Sequence, residues 1–480
     1  AAIADEDIAT RDFGSDALRL AIIEFASHFA VYRTYLDSNG PSTTDGEILE
    51  TVALRAKVSR RIEDPNSVDF LVSLLSGRVP TAQKAQAEAF TTRFQQTTGP
   101  LMAKAVEDTE FYRFNRLIAL NEVGGEPDAV SPGAEQFHTA MARRQMLAPR
   151  ALSATATHDT KRGEDARVRL YALSTIQDEW CEAVERWSAK LSGPSSEAGQ
   201  DAPDREAQWL FFQALAGAWP TDETASDDLD DRMVQFMIKA SREAKLFSSW
   251  TNPDPSYETR IASFVQYALD PANGFVDDFK HMIEPLIKAG AATSLVQTVL
   301  KVFAPGVPDI YQGTELWDLS LVDPDNRRPV DFEHRQRLIS NAPQELLVDE
   351  AAWRDGSLKL DLLRRSLAVR RQMDFTKATY EPLQMTGGDS ERAFAFARRA
   401  RDRTVIVIGA RASPKDYQGI TGFGFDNAPW HGTQIAVPPD LKNHHFVDVF
   451  SGTTVPVNDQ TIEVAAALRC LPVAVLSSAS

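Results

Sequence analysis

The chain has 480 residues, 43% of them hydrophobic and 25% charged, which is enough for two to four domains with sizeable cores. A formal net charge of −17 argues against nucleic acid or an anionic membrane as partner, and it is compatible with a neutral, polyhydroxylated ligand without selecting one. No apolar run approaches the roughly 20 residues of a membrane span, the first residues lack a basic-then-apolar leader pattern, and two cysteines, Cys181 and Cys470, point to a reducing compartment with the cytoplasm as default.

In chain order, residues 16–30 (DALRLAIIEFASHFA) carry apolar side chains at helical spacing, and VYRTYL follows directly. Helical patterning continues over 46–118, with a break expected at Gly99-Pro100. A small-residue, β-capable run, ALSATATHDT (151–160), ends in polar residues. It precedes EDARVRLYALSTIQDEWCEAVERWSAKL (164–191), which reads as one long amphipathic helix. A strand with polar residues at its C-terminal end, followed by a helix, is the βα unit of a parallel barrel. SGPSSEAGQDAPD (192–204) reads as a linker, and 205–292 reads as helices: REAQWLFFQALAGAW, DRMVQFMIKASREAK and YETRIASFVQYALD. The helix SLVQTVLKVFA leads to a strand-like run, VPDIYQGTEL (307–316), and LKLDLLRRSLAVRRQM (358–373) is again helical. From about 380 the texture changes to short runs separated by turn residues: AFAFARRA, TVIVIGA, QIAVPP, HHFVDVF, TIEVAAA and LPVAVLS. These predict a small antiparallel sandwich.

The motif with most chemical content is THDTKRGED, Thr157 to Asp165. It sets an imidazole and a carboxylate side by side at a strand end, where barrel enzymes build their sites from βα loops. Cleavage of a glycosidic bond through an oxocarbenium-like state needs carboxylates near the ring and hydrogen bonds to the sugar hydroxyls. An arbitrary His-Asp pair is more often a helix cap.

The whole nine-residue string closely resembles the fourth conserved region of the α-amylase superfamily, in the form peculiar to maltooligosyl trehalose synthases. FQQTTGPLMAKAVEDTEFYRFNRLIALNEVGGEP (94–127) resembles that family's long signature, and PGVPDIYQGTELWDLSLVDPDNRRPVDF (305–332) resembles its eighth strand and following loop. SSWTNPDPSYETRI (248–261) and VYRTY (31–35) match in the same order. The resemblance implies an α/β fold: the C-terminal part of a (β/α)8 TIM barrel with large helical insertions, followed by an antiparallel β-sandwich. It divides the chain into a mainly helical, barrel-associated segment (1–118), a late strand–helix unit carrying THDTKRGED (119–195), a helical insertion (196–292), the last barrel strand and helix (293–375) and the sandwich (376–480).

The resemblance also implies a reaction. An α-1,4-glucan or maltooligosaccharide would have its reducing-end linkage converted to an α,α-1,1 linkage by intramolecular transglycosylation with retention, with no metal or organic cofactor. Three acids are expected: an Asp nucleophile, a Glu acid/base and a second Asp that grips the sugar in the transition state. Asp159 matches the third. The R-x-D-x-x-x-G/H and D-x-V-x-N-H patterns of the earlier motifs do not occur here. The N-terminal part of the barrel is therefore expected as a partner, without which the chain is expected to be inactive. His158 is expected to bond a hydroxyl of the reacting sugar, and Lys161 to reach the leaving glucose. Lys104 and Glu107 either line the sugar site or form a solvated helix pair. Tyr32 is either a stacking platform or core. Asp325, Asn326 and Arg327 are expected to bond a neighbouring glucose, with Arg327 or Arg328 alternatively paired to Asp323 or Asp331; Trp317 reads equally as core or subsite wall. A non-catalytic glucan-binding subunit and another hydrolase or transferase of the superfamily are the competing readings.

Overall fold

The computed structural model describes residues 2–6, 8–128, 133–191, 203–222, 228–400, 403–417, 423, 430, 432–442 and 444–478. Of the expected linker 192–204, all but Pro203 and Asp204 lie outside the described residues. The chain divides into two compact units, Ala1–Arg113 and Phe114–Ser480.

The first unit is helical. Its helices α1 (Ser15–Ser27), α2 (Thr43–Lys57), α3 (Asn66–Leu75) and α4 (Lys84–Met102) bury a common core that includes Phe25, Leu49, Val52, Leu71, Leu75 and Phe94. Their three- and four-residue apolar spacing puts these side chains on single faces. Ser42 caps α2 by accepting from the Asp45 amide at 3.1 Å. The break expected at Gly99-Pro100 does not occur. Proline is compatible with helical φ and costs one N–H, so α4 runs through Pro100 and turns at Ala103–Glu107 into a π-helical turn, closed by the Asp108 amide on the Ala103 carbonyl at 2.9 Å.

The second unit is mixed helix and sheet. It begins with α5 (Ala134–Leu147), β1 (Leu152–Ser153) and α6 (Glu164–Tyr171). The long helix expected over 164–191 is two: α6 ends in a 3-10 turn at Ala172–Thr175, and α7 (Gln177–Leu191) starts afresh. The Ser174-Thr175-Ile176 run explains the break, because the Ser174 and Thr175 hydroxyls bond back to the Tyr171 and Ala172 carbonyls. Helices α8 (Arg205–Ala218), α9 (Leu229–Ala244) and α10 (Pro255–Leu269) follow, close to expectation. The core helix is α11 (Phe275–Phe303), which runs unbroken across residues 292 and 293. By length and composition α11 could cross a membrane, but 83% of its apolar stretch is buried inside the unit. A Cβ on Gly290 would sit 2.7 Å from the Cβ of Arg169, so the missing side chain lets α6 cross α11 closely.

Strand β2 (Val307–Pro308) pairs with β1 in parallel, Leu152 opposite Val307, and is far shorter than the run 307–316 suggested. After Pro308 the chain leaves the ladder, and Gly313 at φ 90° turns it. Helices α12 (Phe332–Ser340), α13 (Glu350–Arg354) and α14 (Ser357–Arg370) lead to the C-terminal sheets. These contain β3 (Thr379–Leu383), β4 (Met385–Thr386), β5 (Ala393–Arg399), β6 (Thr404–Ala410), β7 (Gln434–Ala436), β8 (Phe446–Asp448), β9 (Thr454–Val455), β10 (Thr461–Glu463) and β11 (Val473–Ser478). The order is β3-β5-β6-β11-β8-β9 in a six-stranded sheet and β10-β7-β4 in a three-stranded one, all antiparallel. The TIEVAAA run is strand only as far as Glu463; its alanines turn into a short helix, α15 (Val464–Ala467), as alanine's propensity favours.

Four charges meet in the interior at the start of α6. Lys359 of α14 lies 2.9 Å from Glu164 and 2.7 Å from Asp165, and Lys301 of α11 lies 2.8 Å from Glu164. Burial pushes the Glu164 carboxyl up, but Lys359 and Lys301 outweigh it and hold it at about 2. Burial wins at Asp165, whose carboxyl is held above the usual range despite Lys359, with ionised Glu164 beside it adding to the shift. Removing Lys359 leaves two buried carboxylates around one ammonium. Lys359→Met is expected to lower the unfolding free energy by about 3–5 kcal/mol, measured by urea denaturation; a loss below about 1 kcal/mol would refute the assignment. The depressed Glu164 group carries a sign. Its folded value of about 2 lies below its ordinary 4.5, so its contribution is fully present above 4.5 and drains as the pH falls towards 2. The melting temperature is expected to drop across that window, and to drop less in Glu164→Gln; parallel acid limbs would contradict this.

Candidate active site

The loop after β1 is pinched by threonines. Thr160 donates its hydroxyl to the Thr157 carbonyl at 2.8 Å, and the Asp159 amide donates to the Thr157 hydroxyl at 3.2 Å. The tight turn lifts His158 and Asp159 outward, with their side chains 63% and 62% exposed and His158 Nε2 3.0 Å from an Asp159 oxygen. Lys161, Arg162 and Gly163 then turn inward. The Lys161 amide donates to Glu122 at 2.8 Å, Arg162 Nη1 donates to the Asn121 carbonyl at 3.0 Å, and the Gly163 amide donates to the Ser320 carbonyl at 2.8 Å. A Cβ at Gly163 would lie 2.3 Å from the Asp318 carbonyl oxygen, so only glycine fits there. Glu122 also holds Arg167 Nη1 at 2.9 Å, which ties the loop to α6.

The second wall is the turn Asp325–Arg327, which follows the cis Asp323-Pro324 bond. Asn326 donates its amide to the carbonyls of Thr157, His158 and Thr160 at 3.4, 3.2 and 3.3 Å. Arg327 Nη2 reaches both the His158 carbonyl at 3.2 Å and an Asp159 carboxylate oxygen at 3.3 Å. It also lies 3.8 Å from Asp323, so the structural pairing weighed for Arg327 forms alongside its contact to Asp159. Asp325 is engaged on all sides: Arg232 of α9 takes both of its oxygens at 2.9 and 3.0 Å, the Leu321 amide donates at 2.7 Å, and Arg328 lies 3.1 Å away. Trp317 is partly buried and donates its indole N–H to the Trp353 carbonyl at 2.6 Å, an anchoring contact.

Of the expected residues, the second unit brings together His158, Asp159, Asn326 and Arg327, with Asp325 behind them and Lys161 buried beneath the turn. Tyr32, Lys104 and Glu107 lie in the helical unit. There the Tyr32 hydroxyl donates to the Glu107 carboxylate and Lys104 pairs with Asp108. Glu107 is buried, so it is not a solvated helix residue, and Tyr32 is 41% exposed, so it is not plain core. The sequence reading missed Glu122, Arg167, Arg232 and the Lys239–Asp323 pair at 2.7 Å, which hold the turn in place. Glu122 stood inside the signature 94–127, whereas the α9 cations carried no local signal. Among the described residues there is no cluster of three or more His, Cys, Asp or Glu side chains placed to hold a metal ion.

An exposed acid just after strand β1 thus lies beside an imidazole and a guanidinium. No family model matches the chain. It is 37% identical over 317 residues to "Putative maltooligosyl trehalose synthase" of Mycobacterium tuberculosis (strain CDC 1551 / Oshkosh), a match covering 66% of this chain and 38% of that protein. The solved maltooligosyltrehalose synthase from Arthrobacter ramosus superposes with a TM-score of 0.76 at 30% identity, over 97% of this chain and 55% of that one. A hypothetical maltooligosyl trehalose synthase from Sulfolobus tokodaii gives 0.70 at 27% identity, over 99% and 57%. The chain is thus a relative of the maltooligosyl trehalose synthases along nearly its whole length, as its motifs indicated, and it spans little more than half of the solved relatives.

The bidentate Arg232–Asp325 contact is a scaffold under the site. Arg232→Ala and Asp325→Ala are each expected to destabilise the chain by about 1–3 kcal/mol, and the double variant to fall short of their sum by more than 1 kcal/mol. Strict additivity in a denaturation cycle would show that the pair is not coupled.

Proposed function

We propose that this chain is the C-terminal part of a maltooligosyl trehalose synthase, converting the reducing-end α-1,4 linkage of a maltooligosaccharide to an α,α-1,1 linkage. The observation that carries the reading is the Asp159 carboxylate, exposed on THDTKRGED and held by His158 and Arg327, in a chain similar to such synthases. In the proposed reaction one carboxylate attacks the anomeric carbon of the penultimate glucose, while an acid protonates the departing glycosidic oxygen. The released glucose then adds through its anomeric hydroxyl to the glycosyl-enzyme. Asp159 bonds hydroxyls of the reacting sugar and stabilises the positive charge growing on its ring. His158 contributes a further hydrogen bond; Lys161, buried beneath the turn in this chain, would meet the leaving glucose only from the inner side of the loop. Tyr32, steadied by Glu107, offers a ring face for stacking.

The nucleophile and the acid/base are assigned to sequence outside 1–480, because neither of their motifs occurs within it. On this reading β1 and β2 belong to a (β/α)8 barrel whose other strands complete the ladder, and the C-terminal sheets form the sandwich. The same missing motifs favour a second reading, a non-catalytic glucan-binding subunit. Both are tested by adding a relative's N-terminal segment and assaying products from maltopentaose: trehalose-ended product supports the synthase, and glucan binding without turnover supports the subunit. In the complete enzyme Asp159→Asn is expected to remove nearly all trehalose-end formation while the melt stays unchanged. Retention of more than about a tenth of the activity, a loss under ~1.4 kcal/mol, would sink the role given to Asp159.

A further inference from the structure

The loop joining α9 to α10 presents a tryptophan that the site described above does not use. Trp250 is 55% exposed, yet its surroundings hold it in place. The Arg242 guanidinium lies 4.9 Å from its ring centroid, and Glu258 fixes that guanidinium through two bonds of 2.8 and 2.6 Å. Ser248 donates to the same Glu258 at 2.6 Å and accepts from the Asp254 amide at 3.0 Å, while Asp254 caps α10 through the Ser256 and Tyr257 amides. The Asn252 amide on the Ser249 hydroxyl at 2.9 Å closes the tip. One ring face is covered by a cation that cannot leave without stranding Glu258, and the ring remains largely open to solvent. Exposing a tryptophan forgoes burial of a large apolar surface, and the cation–π contact beneath it fixes its orientation.

The loop also continues a row of contacts leading from Asp159. Along α9, Asp228 meets Arg328 at 3.1 Å, Arg232 meets Asp325 at 2.9 Å and Lys239 meets Asp323 at 2.7 Å, so the turn that grips His158 and Asp159 lies along this helix. Arg242 comes one turn further on. From Arg232 to Arg242 the helix rises about 15 Å, a span that an oligosaccharide covers and a single sugar does not. An exposed flat ring in a loop that also carries Ser249, Thr251 and Asn252 suits the apolar C–H face of a pyranose with its hydroxyl rim.

We propose that Trp250 is an outlying glucosyl-binding platform, which stacks a sugar of an α-1,4-glucan several units from Asp159 and favours longer chains. The proposal rests on the glucan reading above. It is tested on the 480-residue chain by calorimetric titration with maltoheptaose and maltotriose, comparing wild type, Trp250→Ala and Trp250→Tyr. Trp250→Ala is expected to weaken maltoheptaose binding about tenfold and maltotriose binding far less, with an unchanged melting midpoint. Trp250→Tyr, which keeps a flat ring, is expected to stay within about threefold of wild type. Wild-type affinity for maltoheptaose in Trp250→Ala would overturn the platform and leave the glucan reading intact. Failure of the wild-type chain to bind maltoheptaose, both alone and with a relative's N-terminal segment added, would overturn both.

Discussion

Two ammonium groups and two carboxylates, buried together where α6 begins, are the constraint on which the rest of the second unit hangs. Glu164 and Asp165 are the last residues of THDTKRGED, so the charges that anchor α6 also fix the end of the site loop. Lys301 and Lys359 come from α11 and α14, well over a hundred residues further along, and the Asp318 amide donates to Asp165 at 2.6 Å. One cluster therefore sets the register of three helices and of the chain that follows β2. Desolvating four charges costs much of what their pairing returns, and apolar side chains of similar volume could be as stabilising. Apolar side chains would not specify one arrangement of the loop. A carboxylate between two ammonium groups tolerates little displacement, which is a direct way of placing Asp159, five residues earlier in the chain.

The same economy runs through the turn at Asp325–Arg327. Asn326 has no free choice of position once its amide reaches three carbonyls of the site loop, and Asp325 cannot turn towards a ligand without giving up Arg232. These residues act chiefly on the loop, and the loop presents the groups that meet solvent. The C-terminal sheets are tied in by a related device. Arg398, fully buried in β5, donates to the carbonyls of Phe303 and Phe375 at 2.7 and 2.6 Å, and Arg370 donates to the Val302 carbonyl and to the Gly306 carbonyl beyond the helix. The open carbonyl end of α11 is thereby satisfied from two directions.

Much of this was legible in the sequence, for reasons that differ by element. The helices α8, α9 and α10 carry clear 3.6-residue periodicity, and β5, β6 and β11 are runs of alternating or wholly apolar residues between turns. THDTKRGED stood out as a string, which singled out Asp159 as a candidate without any geometry. The rest depended on long-range partners. Nothing local distinguishes Lys301 or Lys359 from a solvated lysine, yet both ammonium groups are buried because Glu164 is there to receive them. Period alone joined α6 to α7, since the Ser174 and Thr175 hydroxyls that divert the backbone do not alter the apolar pattern. The strand expected over 307–316 shrank to Val307–Pro308 because a strand needs a neighbour, and among the described residues only Leu152–Ser153 is paired with it.

A transition state is stabilised by groups already in place when charge develops, so on the proposed reading what matters in Asp159 is how firmly it is held. Its carboxylate is largely exposed, which would ordinarily leave it mobile. Arg327 restrains it by donating to the Asp159 carboxylate and the His158 carbonyl at once, which links the side chain to the turn beneath it. Asn326 holds the carbonyls on either side of that pair, and the Lys161 amide is fixed to Glu122 immediately afterwards. Moving the turn would break several of these backbone-directed bonds together, each worth about 1 kcal/mol, whereas the exposed contacts of the Asp159 carboxylate itself to His158 and Arg327 are weaker holds. The carboxylate thus faces solvent while Arg327 and His158 hold it.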